Sequence, residues 1–128
     1  MPEIESRRFE VGDLQIDITQ AGQNNEVTVI TPRGYIDTTT VEDLEKKLRE
    51  LVSLDQYRLV IDLAYTEYIN SSGWGVFLRD IKQIRENEGD LILSNMHPDV
   101  QMIFETMEFS QIFKSYDSVE AACASFKP

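Results

Sequence analysis

The sequence predicts an α/β fold: a mostly parallel central sheet with an N-terminal antiparallel hairpin and about four helices. Three observations support this prediction. Two β-type segments come first with only a turn between them, helical and strand patterns then alternate along the chain, and two later strands are continuous apolar runs. Such alternation is typical of a parallel sheet covered by helices. The chain of 128 residues is long enough for one domain with a real core and too short for two.

The predicted hairpin comes first. Residues 14–19 alternate apolar and polar side chains, as a half-buried strand does. Residues 22–25 are turn formers, and residues 27–31 have the composition of a second strand. The Pro-Arg-Gly sequence at 32–34 is expected to interrupt that strand.

A capped helix and a buried strand are predicted next. Thr39 and Glu42 have the spacing of a capping box, in which each side chain bonds the backbone N–H of the other residue. Residues 57–63 have a continuous apolar centre, which favours a strand covered on both faces. Residues 64–71 are expected to form a loop. The helix has apolar side chains near the 3.6-residue period at Val41, Leu44, Leu48 and Leu51.

The second predicted helix runs from about Ser72 to Asn87. Gly89 is expected to end it, because glycine is common just past a helix C-terminus. Residues 91–93 then form a third buried strand. The apolar face of this helix carries Trp74, Phe77, Leu78, Ile81 and Ile84.

The last part of the chain predicts two more helices and a short strand. Pro98 suits the first turn of a helix. Residues 112–116 are predicted to form an edge strand, and Ser118 is predicted to cap the last helix. The helix after Pro98 is expected to bury Val100, Ile103, Phe104 and Met107.

Composition and charge restrict the class of partner. The polar residues 1–12 are expected to form an arm ahead of a domain spanning residues 13–128. With a net charge of −11, the protein is expected to repel nucleic acid and anionic membrane surfaces and to attract a basic partner. No apolar run is long enough to insert in a membrane, and the N-terminus lacks a signal-peptide pattern. The single cysteine excludes an intrachain disulfide, which favours a cytoplasmic location.

The sequence lacks most of the residue combinations that catalytic sites and metal sites require. The single histidine, His97, and the single cysteine, Cys123, cannot build a zinc site or a catalytic triad. Cys123 is expected to be a small buried residue. Asp62, late in a strand, suggests the phosphoacceptor of a response-regulator receiver, but no acidic pair follows the first strands to hold magnesium. A loop-ordering hydrogen-bond acceptor is the favoured role for Asp62. The sequence therefore predicts no metal, no cofactor and no enzymatic activity.

The distinctive segment is residues 68–77, between a buried strand and an amphipathic helix. Asn70, Ser71 and Ser72 are all good N-cap residues, so a plain helix cap is the simplest interpretation. A serine hydroxyl at a helix N-terminus, beyond the carboxyl edge of a parallel sheet, is also exposed to a partner. Phosphorylation would add about −1.5 to −2 charge there. The helix dipole tolerates that charge, whereas a docked partner need not.

Three motifs resemble the STAS family, the domain of bacterial anti-sigma factor antagonists, over about residues 14–126. Residues 34–37 (Gly-Tyr-Ile-Asp) are similar to the Gly-x-Leu-Asp of the family, and residues 60–63 (Val-Ile-Asp-Leu) to its Val-Leu-Asp-Leu strand. Residues 70–76 (Asn-Ser-Ser-Gly-Trp-Gly-Val) are similar to its Asp-Ser-Ser/Thr-Gly-Leu-Gly-Val. The third motif is the specific one, and the order and spacing of all three make the match.

The resemblance implies a phosphorylation switch. Members of the family bind an anti-sigma factor that is also a serine kinase, and so free the sigma factor and regulate transcription. The kinase phosphorylates a serine that maps to Ser71, the complex separates, and a phosphatase resets the switch. Asp37 maps to the acidic residue near the phosphosite. Ser72 and Gly73 would shape the helix start, and Asp37, Ser71, Ser72 and Trp74 would contact the partner.

Two residues depart from the family pattern. Asn70 stands where the family has Asp, so it keeps the capping ability and loses the charge. Trp74 replaces a leucine, with core packing favoured over an exposed binding anchor. The loss of charge at Asn70 supports an alternative function, a non-phosphorylated adaptor subunit of a larger lipid-transport or stress-signalling assembly.

Overall fold

The sheet contains the predicted hairpin and a parallel remainder. A computed structural model describes residues 14–126; residues 1–13 and 127–128 lie outside the described residues, and with them the predicted arm at 1–12. The strand order is β1-β2-β3-β5-β6, with β4 paired to β2, and only the β1–β2 pair is antiparallel. The strands are β1 (Gln15–Ala21), β2 (Val27–Ile36), β3 (Arg58–Asp62), β4 (Thr66–Ile69), β5 (Asp90–Ser94) and β6 (Ser115–Tyr116).

The four predicted helices are present, with the second one divided at Asp80. Ser118 caps the last helix as predicted, its Oγ accepting the N–H of Ala121 at 3.0 Å. Short 3₁₀ turns lie at Gln23–Asn25 and Phe109–Gln111. The α-helices are α1 (Val41–Ser53), α2 (Ser71–Arg79), α3 (Ile81–Glu86), α4 (Pro98–Thr106) and α5 (Val119–Ala124).

The two faces of the sheet are covered unequally. Helices α1 to α4 pack on one face over a large apolar cluster that includes Leu48, Ile61 and Phe77. The other face is covered by α5, where Ala122 packs against Val60 within a small cluster. Each cluster removes apolar surface from water, which is the main favourable term in folding.

Strand β2 is longer than predicted, because Pro32 does not interrupt it. β2 pairs with β3 at residues 28–30 and with β4 at residues 34–36. Pro32 lies between these two stretches, so it breaks neither of them, and its carbonyl accepts a hydrogen bond from Thr66 Oγ1 at 2.9 Å. Gly34 takes the irregular step with φ 124°, a conformation that favours glycine.

The expectation of a loop at 64–71 is also wrong, because strand β4 lies there. The segment Thr-Glu-Tyr-Ile contains three β-forming residues but is only four residues long, and its pairing with β2 stabilises it as a strand. Tyr35 aligns with Tyr68, and Ile36 aligns with Ile69. This pairing places the ends of β2 and β4 side by side.

Two local predictions need correction. Thr39 and Glu42 do not form a capping box: Thr40 is the N-cap of α1, and Thr39 Oγ1 donates to Asp37 Oδ1 instead. The left-handed residue after α3 is Glu88, with φ 63°. Gly89 is needed for close packing, since a Cβ there would lie 1.9 Å from the carbonyl oxygen of Tyr57.

Helix α4 buries only half of its predicted apolar face. Val100 and Phe104 are buried as predicted. Ile103 and Met107, however, are 40% and 59% exposed. The 3.6-residue pattern predicts which side chains share a face but does not fix how far the helix rolls onto the sheet.

Candidate functional site

The carboxyl ends of β2 and β4 form one polar edge. Because Ile36 and Ile69 are aligned neighbours in parallel strands, the next residues, Asp37 and Asn70, follow at the same edge. The backbone N–H of Asn70 donates to the carbonyl of Ile36 at 3.0 Å. The two residues that the sequence singled out from distant motifs are thus brought together by strand pairing.

Asn70 caps α2 and links the two turns. Its Oδ1 accepts the backbone N–H of Gly73 at 3.1 Å, which satisfies one of the free donors of the first helical turn. Its Nδ2 donates to Thr38 Oγ1 at 3.3 Å. An aspartate could accept the same capping bond, but its carboxylate has no N–H to donate to Thr38.

Asp37 is engaged by its own turn. Its Oδ1 accepts the backbone N–H of Thr39 at 2.9 Å and the hydroxyl of Thr39 at 2.7 Å. Its carbonyl accepts the N–H of Val41 at 2.8 Å. The Thr39 hydroxyl bond, followed by backbone N–H bonds from Thr39 and Thr40, holds the pKa of the Asp37 carboxyl below its ordinary value. The carboxylate therefore orders the turn between β2 and α1.

Ser71 and Ser72 have a different role in the structure. Both are exposed and begin α2, and neither hydroxyl makes a side-chain hydrogen bond to another of residues 14–126. The plain cap is supplied by Asn70. The serine hydroxyls are therefore accessible groups at the positive end of a helix, where an added negative charge is favourable.

Two glycines of α2 face opposite surroundings. A Cβ on Gly73 would lie 2.6 Å from Cγ2 of Ile36 and 2.7 Å from Cγ2 of Ile69. Gly73 thus lets the helix start pack directly on the ends of β2 and β4. A Cβ on Gly75 would have no neighbour within 4 Å.

Trp74 is a core residue, as the favoured interpretation predicted. It is 3% exposed, stacks on Phe109 with centroids 4.8 Å apart, and meets Phe77 edge-on at 6.0 Å. Its Nε1 is the one buried side-chain polar atom without a hydrogen-bond partner among the described residues. Trp74 does not project as an exposed anchor. It forms part of the wall of a groove beside Ser71.

That groove was not predicted from the sequence. It has a volume of about 280 Å³ and lies between α2 and the α4 region. Tyr68, Ile103 and Met107, all well exposed, stand along it. The available signal was the Ile103–Met107 spacing, which the sequence analysis assigned to the core. The other lining residues are Ile69, Asn70, Ser71, Trp74, Gly75, Leu78 and Phe109.

The remaining candidate residues lie elsewhere. Asp62 Oδ1 accepts the N–H of Ala64 at 3.1 Å and the side-chain amide of Asn95 at 3.0 Å, the loop-ordering role that was favoured. His97 is exposed and bonds the Ala64 carbonyl. Cys123 is half-buried against the smaller cluster, and burial raises the pKa of its thiol. Within residues 14–126, no group of three His, Cys, Asp or Glu residues could hold a metal ion.

The chain belongs to the STAS domain family, whose sequence pattern matches residues 19–122. It is 38% identical over 95 residues to a putative anti-sigma factor antagonist, BtrV of Bordetella bronchiseptica, a match that spans 74% of this chain and 82% of BtrV. The family predicted from the three motifs is confirmed.

Solved structures of low sequence identity confirm the fold. An anti-sigma factor antagonist from Mycobacterium paratuberculosis is 19% identical with a TM-score of 0.81, over 91% of this chain and 97% of its own. The Bacillus cell fate determinant SpoIIAA, in its phosphorylated form, is 18% identical with a TM-score of 0.66, over 88% of this chain and 100% of its own. Among residues 14–126, no helix has the length and apolar character needed to cross a membrane.

Proposed function

We propose that this protein is an anti-sigma factor antagonist that binds an anti-sigma factor serine kinase and is released when Ser71 is phosphorylated. The carrying observation is the exposed Ser71 hydroxyl at the first position of α2, beside a turn in which Asn70 already supplies the cap. Phosphorylation there removes no hydrogen bond found among the described side chains. The protein regulates transcription through its partner rather than by catalysis.

The relatives support the partner class. BtrV carries the name of an anti-sigma factor antagonist, and SpoIIAA is known in a phosphorylated form. In this chain, Ser71 with Ser72, Asp37 and Trp74 would contribute to the contact with the anti-sigma factor. A phosphatase would restore the binding form.

The release follows from charge. A phosphate carries about −1.5 to −2 charge and three strong acceptor oxygens. Within the domain, the N-terminus of α2 stabilises that charge. Across an interface, the added charge must be desolvated or matched, and a surface that fitted the neutral hydroxyl offers neither. The fold is retained while the complex weakens.

The test compares Ser71→Ala and Ser71→Asp with the wild type, using the purified anti-sigma factor kinase of the source organism. With ATP, the kinase is expected to add one phosphate to the wild type, located by tandem mass spectrometry in residues 59–79, and none to the Ala variant. The Ala variant should bind as the wild type does, and the Asp variant about tenfold or more weakly. Ser72→Ala, which leaves the Ser71 hydroxyl in place, is the matched control for phosphorylation and should still receive one phosphate. Equal binding by the Ala and Asp variants would remove Ser71 as the switch.

The second candidate function is a constitutive adaptor. Asn70 supports it, because a neutral amide stands where the family has an acid. In that case, the protein would co-purify stably with an ATPase or scaffold of a larger assembly. Ser71 would then carry no phosphate in growth or under stress.

A further inference from the structure

The groove beside Ser71 is an unusual patch of exposed apolar surface. Tyr68, Ile103 and Met107 are 50%, 40% and 59% exposed, and all three border the same hollow. Contiguous exposed apolar groups of this kind mark interaction sites on soluble proteins. Ser71 lies in the same wall, so an occupant of the groove touches the phosphorylation site.

The charged residues of the elements that line the groove are mostly acidic. β4, α2 and the stretch from Pro98 to Gln111 contain one basic residue, Arg79 at the last position of α2, and it pairs with Glu45 of α1. Glu67 and Asp99 line a smaller hollow that shares Tyr68, Trp74 and Ile103 with the groove. The exposed acids of these elements are Glu67, Asp99, Glu105 and Glu108.

We infer that the groove receives the apolar face of a helix of the partner protein, flanked by Lys or Arg residues that meet the acidic rim. The inference rests on the proposed function and names the element that the partner must supply. An apolar channel between two helices suits the side chains that a helix presents at i, i+3 and i+4. The volume of about 280 Å³ accommodates one or two such side chains rather than a whole domain.

Charge argues against the two occupants that this chain itself could supply. A second copy would bring the same acidic rim and a net charge of −11 toward this one. Residues 1–13 contain four acidic residues and two basic ones, so their net charge is also negative. A basic helix from another protein is the complementary occupant.

Phosphorylation would then act on the occupant directly. Ser71 lines the groove among apolar side chains, so a phosphate there would occupy part of the groove and would have to lose its water against the apolar face of the helix. The phosphate does not change the apolar side chains of the groove, but it hinders the approach of the partner helix to them. The groove and Ser71 therefore contribute to binding as separable parts.

The experiment begins with photo-cross-linking. The full chain carries p-benzoylphenylalanine in place of Met107, and in a matched control in place of Met102, which is equally exposed on α4 but outside the groove. Mass spectrometry identifies the peptide joined at position 107. A partner helix with apolar and Lys or Arg residues supports the inference. A peptide from residues 1–13, from a second copy, or from an acidic segment overturns it.

Affinity measurements with that purified partner complete the test. Ile103→Glu and Met107→Glu are expected to weaken binding about tenfold or more, and Met102→Glu less than about twofold. Equal affinities of the three variants for the partner would overturn the inference that the groove is the binding site. Because each of the three sites is exposed, all three variants should fold, and thermal unfolding verifies this. Ser71→Asp, titrated alongside, tests the switch separately: normal binding by that variant refutes the proposed release and leaves the groove standing.

Discussion

Two polar turns stand side by side at the carboxyl edge of the sheet, and they are built differently. In the turn after β2, the carboxylate of Asp37 is bonded by Thr39 within the turn. In the turn after β4, Asn70 takes the capping bond and leaves Ser71 and Ser72 exposed. In the first turn, the polar side chains bond one another and so stabilise the turn itself. The second combines a structural residue with two exposed hydroxyls, so the bond that caps the helix does not depend on either serine.

The largest effect is expected at Gly73, where the start of α2 packs directly on the ends of β2 and β4. Gly73→Ala places a methyl group 2.6 Å from Ile36 Cγ2, a buried and branched side chain that cannot swing away. Overpacking of this kind costs about 1–3 kcal/mol of unfolding free energy. Urea denaturation measures it.

Gly75→Ala is the matched control on the same helix. Its methyl group meets open space, so the higher helix propensity of alanine should stabilise the protein by up to about 1 kcal/mol. Equal changes in unfolding free energy at Gly73 and Gly75 would refute the close approach of α2 to the strands.

A smaller effect is expected at the cap. Asn70→Ala removes the acceptor for the Gly73 N–H and the donor to Thr38, and should cost about 1 kcal/mol of unfolding free energy. Asn70→Asp keeps the cap and should cost less. If the missing charge limits the kinase, that variant should also be phosphorylated faster at Ser71, measured as initial rate with the purified kinase. A slower rate would mean that the amide suits this partner.

The smallest effect is expected from the charge of Asp37, and it depends on pH. The pKa of Asp37 in the folded state lies below its ordinary value of 3.8, because the ionised form accepts bonds from Thr39. Its contribution is therefore fully present above pH 3.8 and is lost as pH falls through the folded-state pKa. Asp37→Asn should be less stable than wild type at neutral pH, and the difference should close in acid. Thermal melts from pH 7 to pH 2 measure it; a constant difference would show that the charge is not involved.

The sequence was sufficient where a local pattern decides the structure. The hairpin, the buried strands and the Ser118 cap follow from period-two alternation, apolar runs and cap chemistry, and all are present. The family resemblance placed Asp37 near the segment that begins at Asn70, and the two residues lie at one edge of the sheet. Their adjacency, however, comes from the pairing of Ile36 with Ile69, which no local pattern encodes.

The errors in the sequence analysis arose where tertiary contacts decide. Strand β4 forms because β2 continues beyond Pro32, so that residues 34–36 of β2 are available to pair with β4. The exposure of Ile103 and Met107 depends on the roll of α4, since both keep perfect core spacing. The groove is the product of that roll, so it became visible only with the packed structure.

The β2–β4 pairing also determines when the polar edge exists. Asn70 and Thr38, which join the two turns, are 32 residues apart in the chain, so the edge exists only after a long-range contact has closed. A nascent or partly unfolded chain presents Ser71 without the neighbouring turn. A partner that recognised the whole edge would therefore bind only completely folded protein, and chains that are damaged or still being synthesised would escape it.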